Sequence, residues 1–449
     1  MSTIEKHDMT QGKILLPLVS FTIPLVLGNL FQLTYNAADS VIVGKYVGEQ
    51  ALAAVGTSTP IMNIAILLIS GMCMGASVLM SSQYGAKDYD TLSRQISTTM
   101  LAGCGFSVVF SLLMLLLANP VLRLIRVPET AIPEAAAYLR IIFMGLIFTF
   151  MYNFLANTMR ALGDSKTPLY FLVTSAFLNI FGDLFFVVVL RWGVAGSAIA
   201  TVCSEGLCCL LCGIYIKKKI PLLCLGKKWW VFDKSLLGKT VSYGSTSAMQ
   251  QVCLQLGKLI IRSVVNTQGV AVMAAFTAVN RVDDFAYTPQ QNIGHAMTTF
   301  LAQNKGAGHK ERMKKGFQTG LLIELVYSIG LFCVIWGLAP QIMTLFAEDG
   351  DAQVVSLGIS YLHLISWMYI LPGLTNGVQG FFRGIGDLKV TLYSTFMNMF
   401  GRVVAVFVMI RLLQMEFASL AWANMVGWIV MLLFEVPLLV KSMRNGECG

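Results

Sequence analysis

The 449-residue sequence predicts an all-α polytopic membrane protein, with twelve transmembrane helices in two pseudo-symmetric six-helix lobes. Three observations carry this. Hydrophobic residues make up 56% of the chain and charged residues 12%, against about 25% charged in an average soluble domain. The apolar residues fall into about twelve runs, each near the ~20 residues that cross a bilayer. Finally, Arg160-Ala161-Leu162-Gly163-Asp164-Ser165-Lys166 returns as Arg383-Gly384-Ile385-Gly386-Asp387-Leu388-Lys389, an RxxGDxK pattern between long apolar runs in each half.

The first six spans are expected near residues 14–38, 50–80, 94–118, 135–158, 168–190 and 194–216. The second six are expected near 236–265, 270–300, 314–338, 355–378, 390–412 and 416–440. Pro24 with Gly28, and Pro289 with Gly294, fall inside spans, where neighbouring helices can satisfy freed backbone groups. The halves, taken as 1–222 and 223–449, align further: Gly85-Ala86 with Gly306-Ala307, and Asn179-Ile180-Phe181-Gly182 with Asn398-Met399-Phe400-Gly401. An even number of spans between equivalent points gives both lobes one orientation, about an axis along the membrane normal. Many secondary transporters are built this way, with the working site between the repeats.

The formal charge of +9 does not mark a nucleic-acid partner, because of where the charge lies. About 22 of the 32 Lys and Arg fall before span 1, after span 12 or in loops following even-numbered spans, the positive-inside bias. It places both termini in the cytoplasm and the protein in the cytoplasmic membrane. Lys217-Lys218-Lys219 and Lys227-Lys228-Trp229-Trp230 join the halves. They read as a cytoplasmic linker resting on anionic headgroups, with Trp at the interface. The polar first dozen residues and the long first span argue against a cleavable signal peptide. The ten cysteines lie mostly in spans, so Cys209 and Cys212 read as packing groups. With no Walker sequence, no H-E-x-x-H and four histidines, neither an enzyme nor a nucleotide-driven pump is expected. No cofactor is expected beyond a coupling ion, and the chain is expected to act as a monomer among lipids.

Gly-Asp-x-Lys after the fourth span of each lobe is joined by two further motifs. Gly193-Val194-Ala195-Gly196-Ser197-Ala198-Ile199-Ala200-Thr201 opens span 6, and Gln303-Asn304-Lys305-Gly306-Ala307-Gly308 follows span 8. In this order and spacing, over essentially the whole chain, the sequence resembles the multidrug and toxic compound extrusion (MATE) family. The resemblance implies an exporter that exchanges H⁺ or Na⁺ for a small organic solute by rocking between outward- and inward-open states.

Ionisable groups at membrane depth are functional by default. Asp39 lies in span 1, with Tyr35 and Asn36 about a turn earlier. Asp183 lies in span 5, with Asn179 four residues before it on the same face. Thr201 is in span 6. The family's motif match carries Asp39, Asn179, Asp183 and Thr201 over as the coupling-cation site. The chemistry agrees: a carboxyl withdrawn from water can hold a proton near neutrality, and carboxylate, amide and hydroxyl oxygens suit Na⁺.

In the second lobe both aspartates meet arginine at the equivalent positions: Asp39 aligns with Arg262, and Asp183 with Arg402. Lys258 lies one turn before Arg262, and Arg281 follows in span 8. Two readings stand. The four bases attract an anionic group of a solute, or Asp283 and Asp284 neutralise them internally. Gln255 is a further lining candidate. Family members with second-lobe carboxylates carry them on spans 7 and 10, where this sequence has none.

Arg160 and Arg383 either bridge Asp164 and Asp387 to neighbouring loops as inside latches, or the motif is a helix-ending turn with positive-inside anchors. Glu205, Glu324 and Glu435 are open between cavity and helix-contact roles, while His295 and His363 read as structural. The rival function is a flippase of lipid-linked oligosaccharide or cell-wall precursors, which the basic second lobe keeps in play.

Overall fold

The computed structural model describes residues 8–125, 127–129, 131–220, 230–346, 352–413, 417 and 419–444, without the side chains of 36–38, 40, 49–53 and 411–412. The linker residues Lys227, Lys228 and Trp229 therefore lie outside the described residues. All regular structure within them is helical. The first half runs α1 (Leu15–Tyr46), α2 (Glu49–Gly85), α3 (Tyr89–Leu124), α4 (Ile132–Met144), α5 (Leu146–Ala161), α6 (Lys166–Asp183) and α7 (Gly193–Lys219). The second runs α8 (Lys234–Val265), α9 (Val270–Gly306), α10 (Lys310–Phe346), α11 (Ala352–Ser366), α12 (Ile370–Ile385), α13 (Leu388–Phe407) and α14 (Ser419–Arg444).

The fourth span of each half is broken. α4 and α5 bend by 46° at Gly145, where an added Cβ would stand 2.4 Å from Val202 of α7. α11 and α12 are separated by a 3₁₀ turn, Trp367–Tyr369. The fifth spans share another irregularity: α6 runs into a π-helical turn at Leu184–Val189, and α13 into one at Val408–Leu412.

The repeated Gly-Asp pair is a helix stop followed by a helix start. Gly163 and Gly386 take φ of 90° and 86°, the left-handed conformation that closes a helix C-terminus and that glycine adopts without strain. The next residue caps the following helix. Asp164 Oδ1 accepts from the amides of Lys166 (3.1 Å) and Thr167 (3.0 Å), and Asp387 Oδ1 accepts from that of Val390.

Each of the twelve expected segments is helical. Among the described residues nine helices are long and apolar enough to cross a membrane, or ten with α4 and α5 taken as one bent span. The two that fall short are α8 and α9, which carry Gln250, Gln251, Gln255, Lys258 and Arg262, and Arg281, Asp283 and Asp284. Their polar side chains lower their hydropathy, not their length.

Packing divides the chain into two compact units, one built on Ile23–Ala248 and the other on Met9–Thr22 with the chain from Met249 onward. The join expected at 222/223 is thus followed by a stretch of α8 that still packs with the first unit. Gly75 of α2 lies 2.5 Å, measured from an added Cβ, from the Gly244 nitrogen, and Gly71 equally near the Ala248 Cα. Gln95 donates to Thr240, and Arg94 pairs with Asp233 at 2.6 Å. The first unit's core is Leu92, Phe143, Phe150, Phe154 and Met159. That of the second holds Met343, Tyr361, Tyr369 and Trp428.

Candidate functional site

In the first unit the polar groups of α1, α6 and α7 converge. Asp183, the last residue of α6, is fully buried, and its carboxyl neighbours that of Asp39 on α1. Asp39 Oδ1 accepts from the Ser197 hydroxyl of α7 at 2.8 Å. Asn179, one turn before Asp183, donates to Thr201 Oγ1 at 3.2 Å, leaving its own carbonyl oxygen without a donor. Neither Asp183 oxygen meets a hydrogen-bond donor among the described residues. A second carboxylate supplies none unless it carries a proton. A fully buried acid without donors, set against a second, half-buried acid, is costly to keep ionised, so the arrangement calls for a proton or a cation.

Glycine sets this geometry. An added Cβ at Gly182 would lie 2.9 Å from the Ala200 Cβ, and one at Gly196 would lie 3.0 Å from the Phe186 carbonyl oxygen. These approaches bring the Asp183 end of α6 against the Ser197–Thr201 face of α7. Tyr138 of α4 is buried beside both aspartates, Tyr35 and Glu205, within an apolar patch of Val43, Val55, Ile142, Val194 and Ala198. Glu205 accepts from Thr149 of α5 and lies near the half-buried Tyr35. Asn36 lies on α1, but its side chain is outside the described residues. Sequence reasoning singled out neither Tyr138 nor Ser197 as a site residue. Tyr138 looked like any aromatic in an apolar helix, and Ser197 like one small residue in a small-residue run.

The second unit separates its charged candidates. Lys258 Nζ pairs with Asp284 at 3.5 Å, both half exposed. Asp283 is buried, and its oxygens accept from the Tyr361 hydroxyl at 2.9 Å and the Tyr369 hydroxyl at 2.5 Å. Asn424 donates to Tyr361 Oη at 2.8 Å. Arg402 lies near Asp283, but its Nε has no acceptor among the described residues. Arg262 and Arg281 are exposed and make no ion pair among the described residues. Gln255 is exposed as well. One of the four bases is therefore paired, one lies beside an acid already held by two tyrosines, and two stand open.

The loop candidates are engaged separately. Asp164 and Asp387 are the helix caps described above. Arg160 lies near Tyr152 with its Nε unpartnered, and Arg383 is buried near Glu435, its Nε donating to the Gln379 carbonyl. Neither arginine forms an ion pair with Asp164 or Asp387 among the described residues. No group of three or more His, Cys, Asp or Glu gathers among them either.

The MatE family model matches residues 24–185 and again 247–408, once in each half. The chain is 32% identical over 392 residues to the probable multidrug resistance protein YpnP of Bacillus subtilis, covering 87% of this chain and 86% of that one. It is 23% identical over 423 residues to the probable multidrug resistance protein NorM of Thermotoga maritima, covering 92% and 89%. Its fold superposes with a TM-score of 0.90, at 21% identity and 99% coverage of both chains, on a MOP superfamily transporter from Pyrococcus furiosus described as having a binding pocket of reverse polarity. With the family model matched over both halves of an all-helical, polytopic chain, the protein belongs to the MatE family of membrane transporters and is not an enzyme.

Proposed function

We propose that the chain is a cation-coupled antiporter of twelve spans, α8 and α9 among them. It would export small organic solutes across the cytoplasmic membrane as a monomer with both termini inside. The observation that supports this reading best is Asp183: fully buried, next to Asp39, and with no donor on either oxygen. H⁺ or Na⁺ taken up there from outside cancels one of the pair's two negative charges. The Asn179 carbonyl oxygen and the Thr201 and Ser197 hydroxyls are further oxygens within the cluster. For coupling, the cation must favour one state of the transporter over the other. Loading the site between α1, α6 and α7 does so if the helices close on it only in the solute-releasing state. Relatives called probable multidrug resistance proteins support organic solutes as the cargo class.

Arg262 and Arg281, exposed and without an ion pair among the described residues, favour a second reading, in which the cargo carries an anionic group, as a lipid-linked precursor does. The deciding experiment is efflux from proteoliposomes under separate H⁺ and Na⁺ gradients, with cationic and anionic dyes, for wild type, Asp39→Asn and Asp183→Asn. The antiport reading expects gradient-driven efflux that both variants abolish while remaining folded. Efflux indifferent to either gradient and to both substitutions would overturn it and leave the flippase reading in front.

A further inference from the structure

The second unit holds a buried carboxylate that the coupling scheme does not use. Glu324, midway along α10, is 1% exposed, and neither of its oxygens meets a donor among the described residues. It forms no ion pair among the described residues. Around it the oxygens are concentrated. Gln290 of α9 donates to Ser328 Oγ at 3.1 Å and to the Tyr369 carbonyl at 2.8 Å, which leaves the Gln290 carbonyl oxygen without a donor. The Tyr369 carbonyl, in the 3₁₀ turn that breaks the span, also lies 3.3 Å from Ser328 Oγ, whose hydroxyl donates to the Glu324 backbone carbonyl at 2.7 Å. These groups face one spot. A Cβ added to Gly373 would lie 3.0 Å from Ser328 Oγ, 3.2 Å from Gln290 Nε2 and 3.3 Å from Glu324 Oε2.

The repeat provides an internal control. Position for position, Ile69, Gly103 and Phe150 of the first half stand where Gln290, Glu324 and Gly373 stand in the second. There the Phe150 ring fills the space above Gly103, to within 1.9 Å of an added Cβ, and Ile69 is buried beside it in the same apolar core. One half thus fills this volume with hydrocarbon, and the other fills it with a carboxylate, an amide and a glycine. Packing alone requires only the first solution.

We propose that Glu324, with the Ser328 hydroxyl and the Gln290 side chain beside it, forms a second site for a monovalent cation, H⁺ or Na⁺, wholly within the second unit and independent of Asp39 and Asp183. Either ion supplies the single positive charge that a buried carboxylate without donors requires, and carboxylate and hydroxyl oxygens suit a hard cation. The titratable groups around it are few. Tyr327, one turn from Glu324 on the same helix, donates to the Ala286 carbonyl. The Tyr369 hydroxyl is committed to Asp283, and His363 of α11 stacks on Trp336 further along α10.

The test uses purified full-length protein in lipid nanodiscs, in an Asp39→Asn/Asp183→Asn background that silences the first unit's site. Equilibrium binding of radioactive Na⁺ and the infrared carboxyl band are followed across pH, with and without Glu324→Gln. The expected result is a single cation per chain that persists in the background and disappears with E324Q. Na⁺ binding would identify sodium, whereas a carboxyl band that titrates with pH would identify the proton. The proposal is overturned if E324Q changes neither signal. It is equally overturned if the Glu324 band stays constant at every pH and Na⁺ concentration at which the protein remains folded, because a fixed proton is only a structural hydrogen bond. Should E324Q not fold, Ser328→Ala removes one oxygen and leaves the carboxyl. It must then weaken Na⁺ binding about tenfold, or move the titration midpoint by about one pH unit; no change overturns the site. Failure of the first-unit reading is scored separately, by comparing wild type with the background variant.

Discussion

Ala200 on α7 lies so close to Gly182 on α6 that a methyl placed on the glycine would stand 2.9 Å from the alanine Cβ. The next residue after that glycine is Asp183, so this approach fixes how far the acid sits from Ser197 and Thr201. Any larger residue at 182 must push the helices apart. Gly182→Val is expected to lower stability by about 1–3 kcal/mol, the usual cost of overpacking, and to reduce gradient-driven efflux by more than its loss of folded protein explains. Thermal unfolding in detergent, with efflux normalised to folded protein, checks both; wild-type efflux in G182V would break the link between the approach and the site.

Asp283 depends on Tyr361 and Tyr369 for its donors. Tyr369→Phe keeps the ring and removes one hydroxyl, leaving a buried carboxylate oxygen unsatisfied at a cost of about 1–3 kcal/mol. Tyr170→Phe, at an exposed tyrosine of α6, is expected to stay within about 0.5 kcal/mol of wild type. Equal unfolding temperatures for the two variants would show that the hydroxyl contributes nothing to holding the acid.

Arg312 clamps the segment before α1. Its guanidinium donates to the carbonyls of Met9 (3.2 and 3.1 Å), Gln11 (2.7 Å) and Gly12 (2.7 Å), while Asn304 also donates to Met9. Arg312→Ala is expected to speed tryptic cleavage after Lys13 about tenfold or more, since charge-assisted bonds hold the closed form. Arg312→Lys should rescue little, because a point charge cannot span three carbonyls as a planar fork does. Unchanged cleavage in both variants would mean the segment is held by other contacts.

Asp233 begins α8. The Leu236 amide, against the opposing effect of partial desolvation, and then the Ser235 amide and the Arg94 guanidinium hold its carboxyl below the usual carboxylate value. A lowered folded value gives stability that is complete above the unfolded value of about 4 and lost as pH falls through the folded one. Hydrogen exchange at the first turn of α8, corrected for its intrinsic pH dependence, should therefore accelerate on acidification below pH ~4. In Asp233→Asn that step should be absent, and its survival would assign the titration to another group.

Much of the architecture was legible in the sequence because apolar length is a strong signal and the RxxGDxK repeat has a local cause, a left-handed glycine followed by a capping aspartate. α8 and α9 were legible as helices from length and position, although Lys258, Arg262, Arg281 and the Asp283-Asp284 pair make them too polar to pass a composition test. The break at Trp367–Tyr369 and the two π-helical turns left no mark, since neither changes composition and each shifts the helical register only locally. Asp39 and Asp183 could be singled out because acids are rare at membrane depth, and Asn179 and Thr201 joined them through the family resemblance; the structure places the four in one cluster. Tyr138 could not, nor could the donors of Asp283, because Tyr361 and Tyr369 come from a different span. The oxygens around Glu324 were invisible for the same reason: they come together only through folding.

The π-helical turn directly after Asp183 holds one residue more than an α-helical turn would in its place. The span ends with that turn, shortly before α7 begins at Gly193, so the spare residue can move only back past Asp183, which would wind the acid by about 100° and draw it along the axis by ~1.5 Å, with no covalent strain. The hydrogen bonds that must change are few, because the slack is confined to Leu184–Val189. Asp183 is thus mounted where a screw thread begins, and α13 carries a matching thread at Val408–Leu412. A span built this way can swing its acid while its far end stays seated.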